Sequence, residues 1–303
     1  MTSNTPPYKK VAVGVCTYNR SSSLKRLLDS LMKLDYPSYE IIVVDNNSTD
    51  DTEVVVKSYP NVIYVKEKRR GIAFARNKLL DVCPSDIEFL GMVDDDETLE
   101  SDWICKMLDC FELNSKIIAV GGPYIPIYEV KKPNWMPDNF FAYKNDIKGC
   151  RFYQEKMIFC TGNCMIKINI VKIRNVLFDE NLGYNGKVLI SGEDVDFFNK
   201  LITKDDFCGF TEFAFVKHYI DRNRLTFKWI LRRFYLEGVT QYFRFGRKEL
   251  LHNIVQLPLK FVALLFSAFT FNVKTISKRF FKLVMCVGVC SGVIYKNNYR
   301  SVC

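Results

Sequence analysis

The first 120 residues alternate short apolar runs with segments of helical periodicity. The apolar runs are continuous and do not alternate with polar residues, which indicates strands that are buried on both faces of a sheet. Alternation of such strands with helices predicts an α/β fold with a doubly wound, mostly parallel sheet. The predicted strands cover 11–16, 41–45, 62–65, 87–93 and 117–120, and the predicted helices cover 21–34, 50–58, 72–82 and 100–113.

The pattern changes after residue 122. Residues 123–150 contain four prolines and many aromatic residues, a composition typical of a long ordered loop. Beyond this loop the spacing of apolar residues again predicts regular structure. We expect it over 156–166, with helices near 168–175 and over 193–203, a strand over 207–216 and an amphipathic helix over 224–245.

Charge is distributed unevenly along the chain. Residues 217–303 hold 16 Lys or Arg and only 3 Asp or Glu, whereas the whole chain holds 43 and 34. The C-terminal segment is therefore strongly basic, which favours anionic partners such as a lipid surface or nucleic acid. No platform of interleaved aromatic and basic residues accompanies this charge, so we expect no nucleic-acid binding.

The basic segment also contains two apolar runs, 254–273 and 283–295, separated by a cluster of basic residues. The first run is marginal for crossing a bilayer and the second is too short. We therefore expect a basic, apolar helical extension over 221–303 that lies on an anionic membrane surface or re-enters it. Burial of two helices against the main domain, 1–220, is the alternative.

Eleven cysteines raise the question of a disulfide framework or a zinc site. Their number is odd, no Cys-x-x-Cys pair occurs, and the two histidines stand at no zinc-ligand spacing. The residues after Met1 form no apolar leader, so we expect a cytosolic protein with reduced, mostly buried thiols.

Polar groups follow three of the predicted strands, at residues 17–20, 45–48 and 94–96. Because the carboxyl ends of parallel strands meet at one edge of a sheet, these groups are expected to line one crevice. The sequence contains no G-x-G-x-x-G after the first strand and no P-loop motif, which argues against classical dinucleotide and P-loop binding. Three adjacent carboxylates favour Mg²⁺ or Mn²⁺ holding a diphosphate, with a solvated acidic turn as the alternative.

A second acidic group, Glu193 and Asp194, opens a predicted helix. The helix dipole is sufficient reason for acidic residues there, and a carboxylate that faces the crevice could equally act as a general base. His218 ends an apolar strand, where it is either structural or completes the coordination of a metal ion.

Five segments of the chain, in their order and spacing over about 200 residues, resemble the family 2 glycosyltransferases. That family comprises inverting, nucleotide-sugar-dependent enzymes with the GT-A fold, and the C-terminal segment is similar to bacterial members that build surface polysaccharides. The segments that carry the resemblance are VAVGVCTYNR (11–20), IIVVDNNSTDDT (41–52), GIAFARN (71–77), FLGMVDDD (89–96) and GEDVDF (192–197).

The resemblance implies a nucleotide-binding role for five residues. Thr17, Asn19 and Arg20 would border the nucleotide. Asp45 would accept the N3–H of the base, which favours uracil or thymine. Arg76 would face the nucleotide or its diphosphate.

The resemblance assigns the acidic residues to the metal and to the reaction. Asp94 would lie near the ribose and Asp96 would bind Mn²⁺ or Mg²⁺, with Asp95 able to substitute for either. Asp194 would be the catalytic base, and Glu193 would position the acceptor.

His218 is implied as a metal ligand because it has that role in some relatives. The Gln-x-x-Arg-Trp motif of processive synthases does not occur, so the resemblance favours transfer of one sugar per encounter. It implies a nucleoside-diphosphate sugar donor, with UDP as the favoured carrier, and a glycan or lipid-linked acceptor in polysaccharide biosynthesis at the cytoplasmic face of the inner membrane. A nucleotidyltransferase and a catalytically inactive, membrane-tethered binding module are the alternatives.

Overall fold

The computed structural model describes residues 8–138, 140–142, 148–154, 160–184, 189–269 and 271–300. The chain divides into two compact units, which we call the sheet unit and the helical unit. Whether each is a domain with the predicted bounds, 1–220 and 221–303, stays a prediction. The sheet unit comprises residues 1–127, 142–186 and 193–219, and the helical unit comprises residues 128–141, 187–192 and 220–303.

The strands and helices of the first half of the chain follow the predicted alternation. The strands in chain order are β1 (Val11–Thr17), β2 (Tyr39–Asp45), β3 (Val62–Lys66), β4 (Phe89–Asp94), β5 (Glu97–Leu99), β6 (Ile117–Gly121), β7 (Tyr124–Tyr128), β8 (Cys150–Tyr153), β9 (Asn163–Lys167), β10 (Gly183–Tyr184), β11 (Leu189–Ile190), β12 (Phe207–Thr211) and β13 (Val216–Ile220). The helices are α1 (Ser21–Leu31), α2 (Thr52–Lys57), α3 (Ile72–Val82), α4 (Trp103–Phe111), α5 (Ile168–Arg174), α6 (Glu193–Leu201), α7 (Phe227–Phe245), α8 (Arg247–Ala268) and α9 (Val273–Arg300).

The central sheet has eight strands in the order β3-β2-β1-β4-β9-β6-β12-β8. The β3-β2-β1-β4 half is parallel throughout, and β6 and β12 are parallel to each other. β9 runs antiparallel to β4 and β6, and β8 runs antiparallel to β12. A second sheet has the order β5-β13-β7. The predicted α/β class with a mostly parallel sheet is confirmed.

Two apolar cores cover the faces of the central sheet, because successive residues of a strand point to opposite faces. Val11, Val13 and Val15 of β1 belong to a core that includes residues of α1 and α4. Ala12, between them, belongs to a second core that includes residues of α3, α5 and α6. Burial on both faces explains why the strands are continuous apolar runs in the sequence.

Several predicted elements differ from the observed ones. The single strand predicted over 207–216 covers β12 and only the first residue of β13, which belongs to a different sheet. A bend at 212–214 follows β12, and Glu212 bonds the backbone of Gly149 through both its backbone N–H and its side chain. The predicted loop after residue 122 contains strand β7, and of the regular structure predicted over 156–166 the first residues, 156–159, lie outside the described ones.

The cysteines also differ from the prediction. Cys110 of α4 and Cys150 of β8 are joined by a disulfide, so the expectation that all thiols are reduced is wrong for this pair. Cys83, Cys164 and Cys208 are free and buried, as expected for cysteines that act as small apolar residues.

The helical unit contains α7, α8 and α9, so the predicted C-terminal helical extension is present. α7 and α9 pack closely at two glycines. A Cβ atom on Gly238 would lie 1.9 Å from the carbonyl oxygen of Met285, and one on Gly288 would lie 2.0 Å from that of Tyr235. Only glycine fits at these two positions, because any other residue would force the helices apart.

Candidate active site

The predicted crevice lies at the carboxyl ends of β1, β2 and β4. The strand register sets Thr17 beside Asp45 and Cys16 beside Asp94. Three of the polar groups that the sequence placed after separate strands are therefore neighbours at one sheet edge.

Asp95 links the first of these groups to the acidic run. Thr17 Oγ1 donates to Asp95 Oδ2 at 2.8 Å, and Arg20 Nη1 donates to Asp95 Oδ1 at 2.8 Å and to Asp96 Oδ2 at 2.9 Å. Burial raises the pKa of Asp95, and the charge of Arg20 opposes that rise. Both Asp95 oxygens accept hydrogen bonds that hold the two loops together, and its substitution for Asp94 or Asp96 stays a prediction.

Asp94, Asp96 and Glu97 form a carboxylate cluster at the turn from β4 to β5, with one oxygen of each within 4.8 Å of the others. Glu97 Oε2 accepts from the Asp94 backbone N–H, whereas the buried Glu97 Oε1 has no hydrogen-bond partner in the part of the chain that the structure describes. Burial and the charges of Asp94 and Asp96 raise the pKa of Glu97 well above its usual range. A Cβ on Gly162 would come within 2.5 Å of Asp94 Oδ2. A hard divalent cation fits this cluster, since it would satisfy an unpartnered oxygen and offset the carboxylate charge.

His218 lies beside the same cluster. It is on β13, in register with Glu97 of β5, and its Nε2 is 3.6 Å from Asp96 Oδ1. The proposed role of His218 as a ligand stays a prediction, and this position is compatible with it. Sequence reasoning missed Glu97. Its position three residues after Asp94 could have indicated it, because the tight turn between β4 and β5 brings the two carboxylates together.

Arg76 joins the carboxylate cluster to the second acidic group. Its guanidinium is buried, with Nη1 donating to Glu193 Oε1 at 2.7 Å and Nη2 lying 3.7 Å from Asp94 Oδ1. Breaking a buried pair of this kind leaves an uncompensated charge and destabilises a fold strongly. Arg76 is thus a positioning residue for Glu193 in this structure, and its predicted contact with a nucleotide stays a prediction.

Asp194 is the second residue of α6, next to Glu193. Burial raises the pKa of Asp194 to about 6, the adjacent charge of Glu193 adds to the rise, and Arg76 opposes it. The carboxylate is mainly ionised at neutral pH and more basic than an ordinary aspartate, as a general base requires.

We expect the rate of the catalysed reaction to fall below pH 6. Because Asp194 must be ionised to accept a proton, the logarithm of kcat should lose about one unit per pH unit below its pKa, which burial raises to about 6. Measuring kcat from pH 4.5 to 8.5 tests this. In Glu193→Gln the acidic limb should move to lower pH, since a like charge is removed; an unmoved limb would assign it to another group.

Asp45 and Asn19 lie in the loops after β2 and β1. The Asn19 side chain accepts from Thr49 N–H at 2.7 Å, which ties the two loops together. Asp45 is 1% exposed, and its two oxygens accept from Ser48 N–H and from Tyr64 Oη, both at 2.8 Å. Recognition of a base by Asp45 stays a prediction. It would require Ser48 or Tyr64 to release its hydrogen bond to Asp45. Sequence reasoning missed the contact with Tyr64.

The sequence matches a known protein family and several of its members. The family model for Glycosyl transferase family 2 matches residues 12–173. A glucosyl-dolichyl phosphate glucuronosyltransferase of Haloferax volcanii is 25% identical over 245 residues, which are 77% of this chain and 76% of that protein. The succinoglycan biosynthesis protein ExoM of Rhizobium meliloti is 28% identical over 240 residues, 76% of this chain and 73% of that protein.

Two solved structures show the same fold. The mannosyltransferase PcManGT of Pyrobaculum calidifontis, in complex with GDP-Man and Mn²⁺, has a TM-score of 0.63 at 17% identity and covers 95% of this chain and 88% of its own. S. aureus TarS 1-349, in complex with UDP-GlcNAc, has a TM-score of 0.56 at 18% identity and covers 80% of this chain and 66% of its own. At this identity the likeness concerns the fold alone, and it confirms the expected GT-A architecture.

Proposed function

The chain belongs to glycosyl transferase family 2, and on that premise we propose that it is an inverting, metal-dependent enzyme that transfers one sugar from a UDP-sugar to a hydroxyl group. The observation that carries this proposal is the position of Arg76, between the carboxylate cluster and the pair Glu193 and Asp194. The ion pairs of Arg76 support it, since they hold the acidic group proposed to bind the donor near Asp194, whose pKa burial raises to about 6.

The residues divide the chemistry between them. Asp94, Asp96 and Glu97, with His218, would hold Mn²⁺ or Mg²⁺, which when bound offsets the negative charge of a departing nucleoside diphosphate.

Asp194 accepts the proton of the acceptor hydroxyl while that oxygen attacks the anomeric carbon from the face opposite the leaving group. The bond from that carbon to the diphosphate breaks in the same displacement, so the configuration inverts and no covalent sugar–enzyme bond forms. Glu193, held by Arg76, orients the acceptor.

The relatives guide the choice of acceptor. One is named for glucosyl-dolichyl phosphate and another for succinoglycan biosynthesis, so the family members similar to this chain include enzymes of polysaccharide and lipid-linked sugar synthesis. We propose a glycan or lipid-linked acceptor, met at the cytoplasmic face of a membrane. The strongly basic C-terminal segment supports this location.

Thermal-shift titration tests the donor class and the metal together. UDP with Mn²⁺ should raise the apparent stability by about 2.7 kcal/mol at a hundredfold excess over Kd, whereas UDP with EDTA should have little effect. GDP, dTDP and CDP are the matched ligands, chosen because the two solved neighbours bind different nucleotides. A larger shift with GDP would contradict the proposed UDP-sugar donor. No shift with any nucleotide would contradict the proposed glycosyltransferase activity.

A further inference from the structure

Helix α8 of the helical unit leaves most of its large apolar side chains exposed. Its buried side chains include Asn253 and Ser267, and both are satisfied within the helix, by Glu249 and by the Leu264 carbonyl. Its exposed residues recur three and four positions apart, so they share one face. We call them the α8 apolar face: Leu251, Ile254, Val255, Leu259, Phe261, Val262, Leu265 and Phe266, continued by Phe269 just after the helix.

A contiguous apolar face of this size marks an interaction site rather than a water-exposed surface. Among the described residues, the segment Arg247–Ser267 has the length and mean hydropathy of a helix that could cross a membrane, by those criteria alone. We propose that the α8 apolar face is buried in the hydrocarbon of a lipid bilayer, with α8 lying in the plane of the membrane. This inference rests on the proposed membrane location but not on the proposed reaction.

The packing of α9 distinguishes a helix in the plane from one that crosses. The Arg279 side chain donates to the Ala263 carbonyl, and Lys260 Nζ lies 3.0 Å from Cys286 Sγ, so α9 runs antiparallel to α8. The exposed Lys278 and Lys282 are therefore level with residues 260–264 of α8, inside its long apolar segment. If α8 crossed the bilayer, both side chains would emerge from α9 within the hydrocarbon layer, where charge is expensive. In the plane, they reach the headgroups.

Charge favours a membrane over a second copy of the chain. Arg247 and Lys248, at the start of α8, are exposed like Lys278 and Lys282, and they suit anionic phosphate headgroups. Two copies joined through this face would bring together two segments that each hold 16 basic and 3 acidic residues over 217–303. Like-charge repulsion opposes that arrangement, whereas an anionic bilayer neutralises it.

Vesicle flotation of the full chain tests the surface. The protein should float with phosphatidylcholine vesicles that contain phosphatidylglycerol, and Val262→Glu with Phe266→Glu should lower the bound fraction about tenfold or more. Val54→Glu with Ile173→Glu is the matched control, because both residues are exposed apolar positions of the sheet unit, and its binding should be unchanged. Binding by the α8 variant at the wild-type level would overturn the proposal.

Tryptophan placed along α8 tests its orientation. In Val255→Trp, Val262→Trp and Phe269→Trp, quenching by brominated lipids should report one common depth, whereas a graded series of depths would overturn the in-plane geometry. A wild-type dimer in solution that Val262→Glu dissociates, with no vesicle binding, would assign the face to self-association instead. Each variant should retain its nucleotide-induced thermal shift, so failure of this inference is distinguishable from failure of the proposed function.

Discussion

Replacing Asp194 by Asn is expected to lower kcat by about 10²–10⁴-fold without changing the affinity for the nucleotide. The amide has nearly the shape of the carboxylate, but it cannot accept the proton of the acceptor hydroxyl. Since Asp194 is held at the start of α6 by its own turn, accepting from the Val195 N–H, the substitution should leave the fold intact. Single-turnover kinetics and nucleotide titration on one preparation separate the two effects.

Asp196→Asn is the matched control for this experiment. Asp196 is in the same turn of α6, but it pairs with Lys200 on its own helix, at 2.5 Å. Its replacement should leave kcat near the wild-type value. An Asp194→Asn enzyme of wild-type activity would exclude Asp194 as the base, and equal losses in both variants would indicate damage to α6 rather than lost chemistry.

Replacing Glu97 by Gln is expected to stabilise the metal-free protein and to abolish the metal-dependent nucleotide shift. Without a cation, the carboxyl of Glu97 is buried beside two other acidic residues, and one of its oxygens has no partner among the described residues. The amide removes that electrostatic cost and can donate to the neighbouring carboxylates, which should raise the free energy of unfolding by roughly 1–3 kcal/mol. The same change removes a ligand that a divalent cation requires.

The opposite signs of these two effects make the result specific. Thermal unfolding with EDTA measures the gain, and UDP titration with Mn²⁺ measures the loss. Glu100→Gln is the control, because Glu100 follows the same strand but pairs at the surface with Lys217. If Glu97→Gln kept the Mn²⁺-dependent shift, the carboxylate cluster would not be the metal site.

The fold was predictable where its signal is local. Strands β1, β2 and β4 are apolar runs because both of their faces are largely buried, so their bounds could be identified to within two residues. The start of β13 could not be separated from β12, because the bend between them, at 212–214, lies in a largely apolar stretch of sequence. The disulfide of Cys110 with Cys150 likewise joins residues whose proximity no local pattern records.

The candidate site divides in the same way. The amino-acid sequence alone places acidic and polar residues directly after the strands of a parallel sheet. Thr17, Asp45 and Asp94 therefore lie at one edge of that sheet. The family 2 motifs could also be recognised from the sequence, because each of them is a short contiguous segment of the chain.

Only the tertiary structure decided how those residues are used. The ion pair of Arg76 with Glu193 joins positions 117 apart, and Tyr64 reaches Asp45 from a neighbouring strand. Composition indicated that α8 is apolar, but packing against α9 determined which of its residues are covered and which form an exposed face. The physical reason is common to all three cases: burial, pairing and pKa depend on groups that are distant in sequence, so they exist only after the chain has folded.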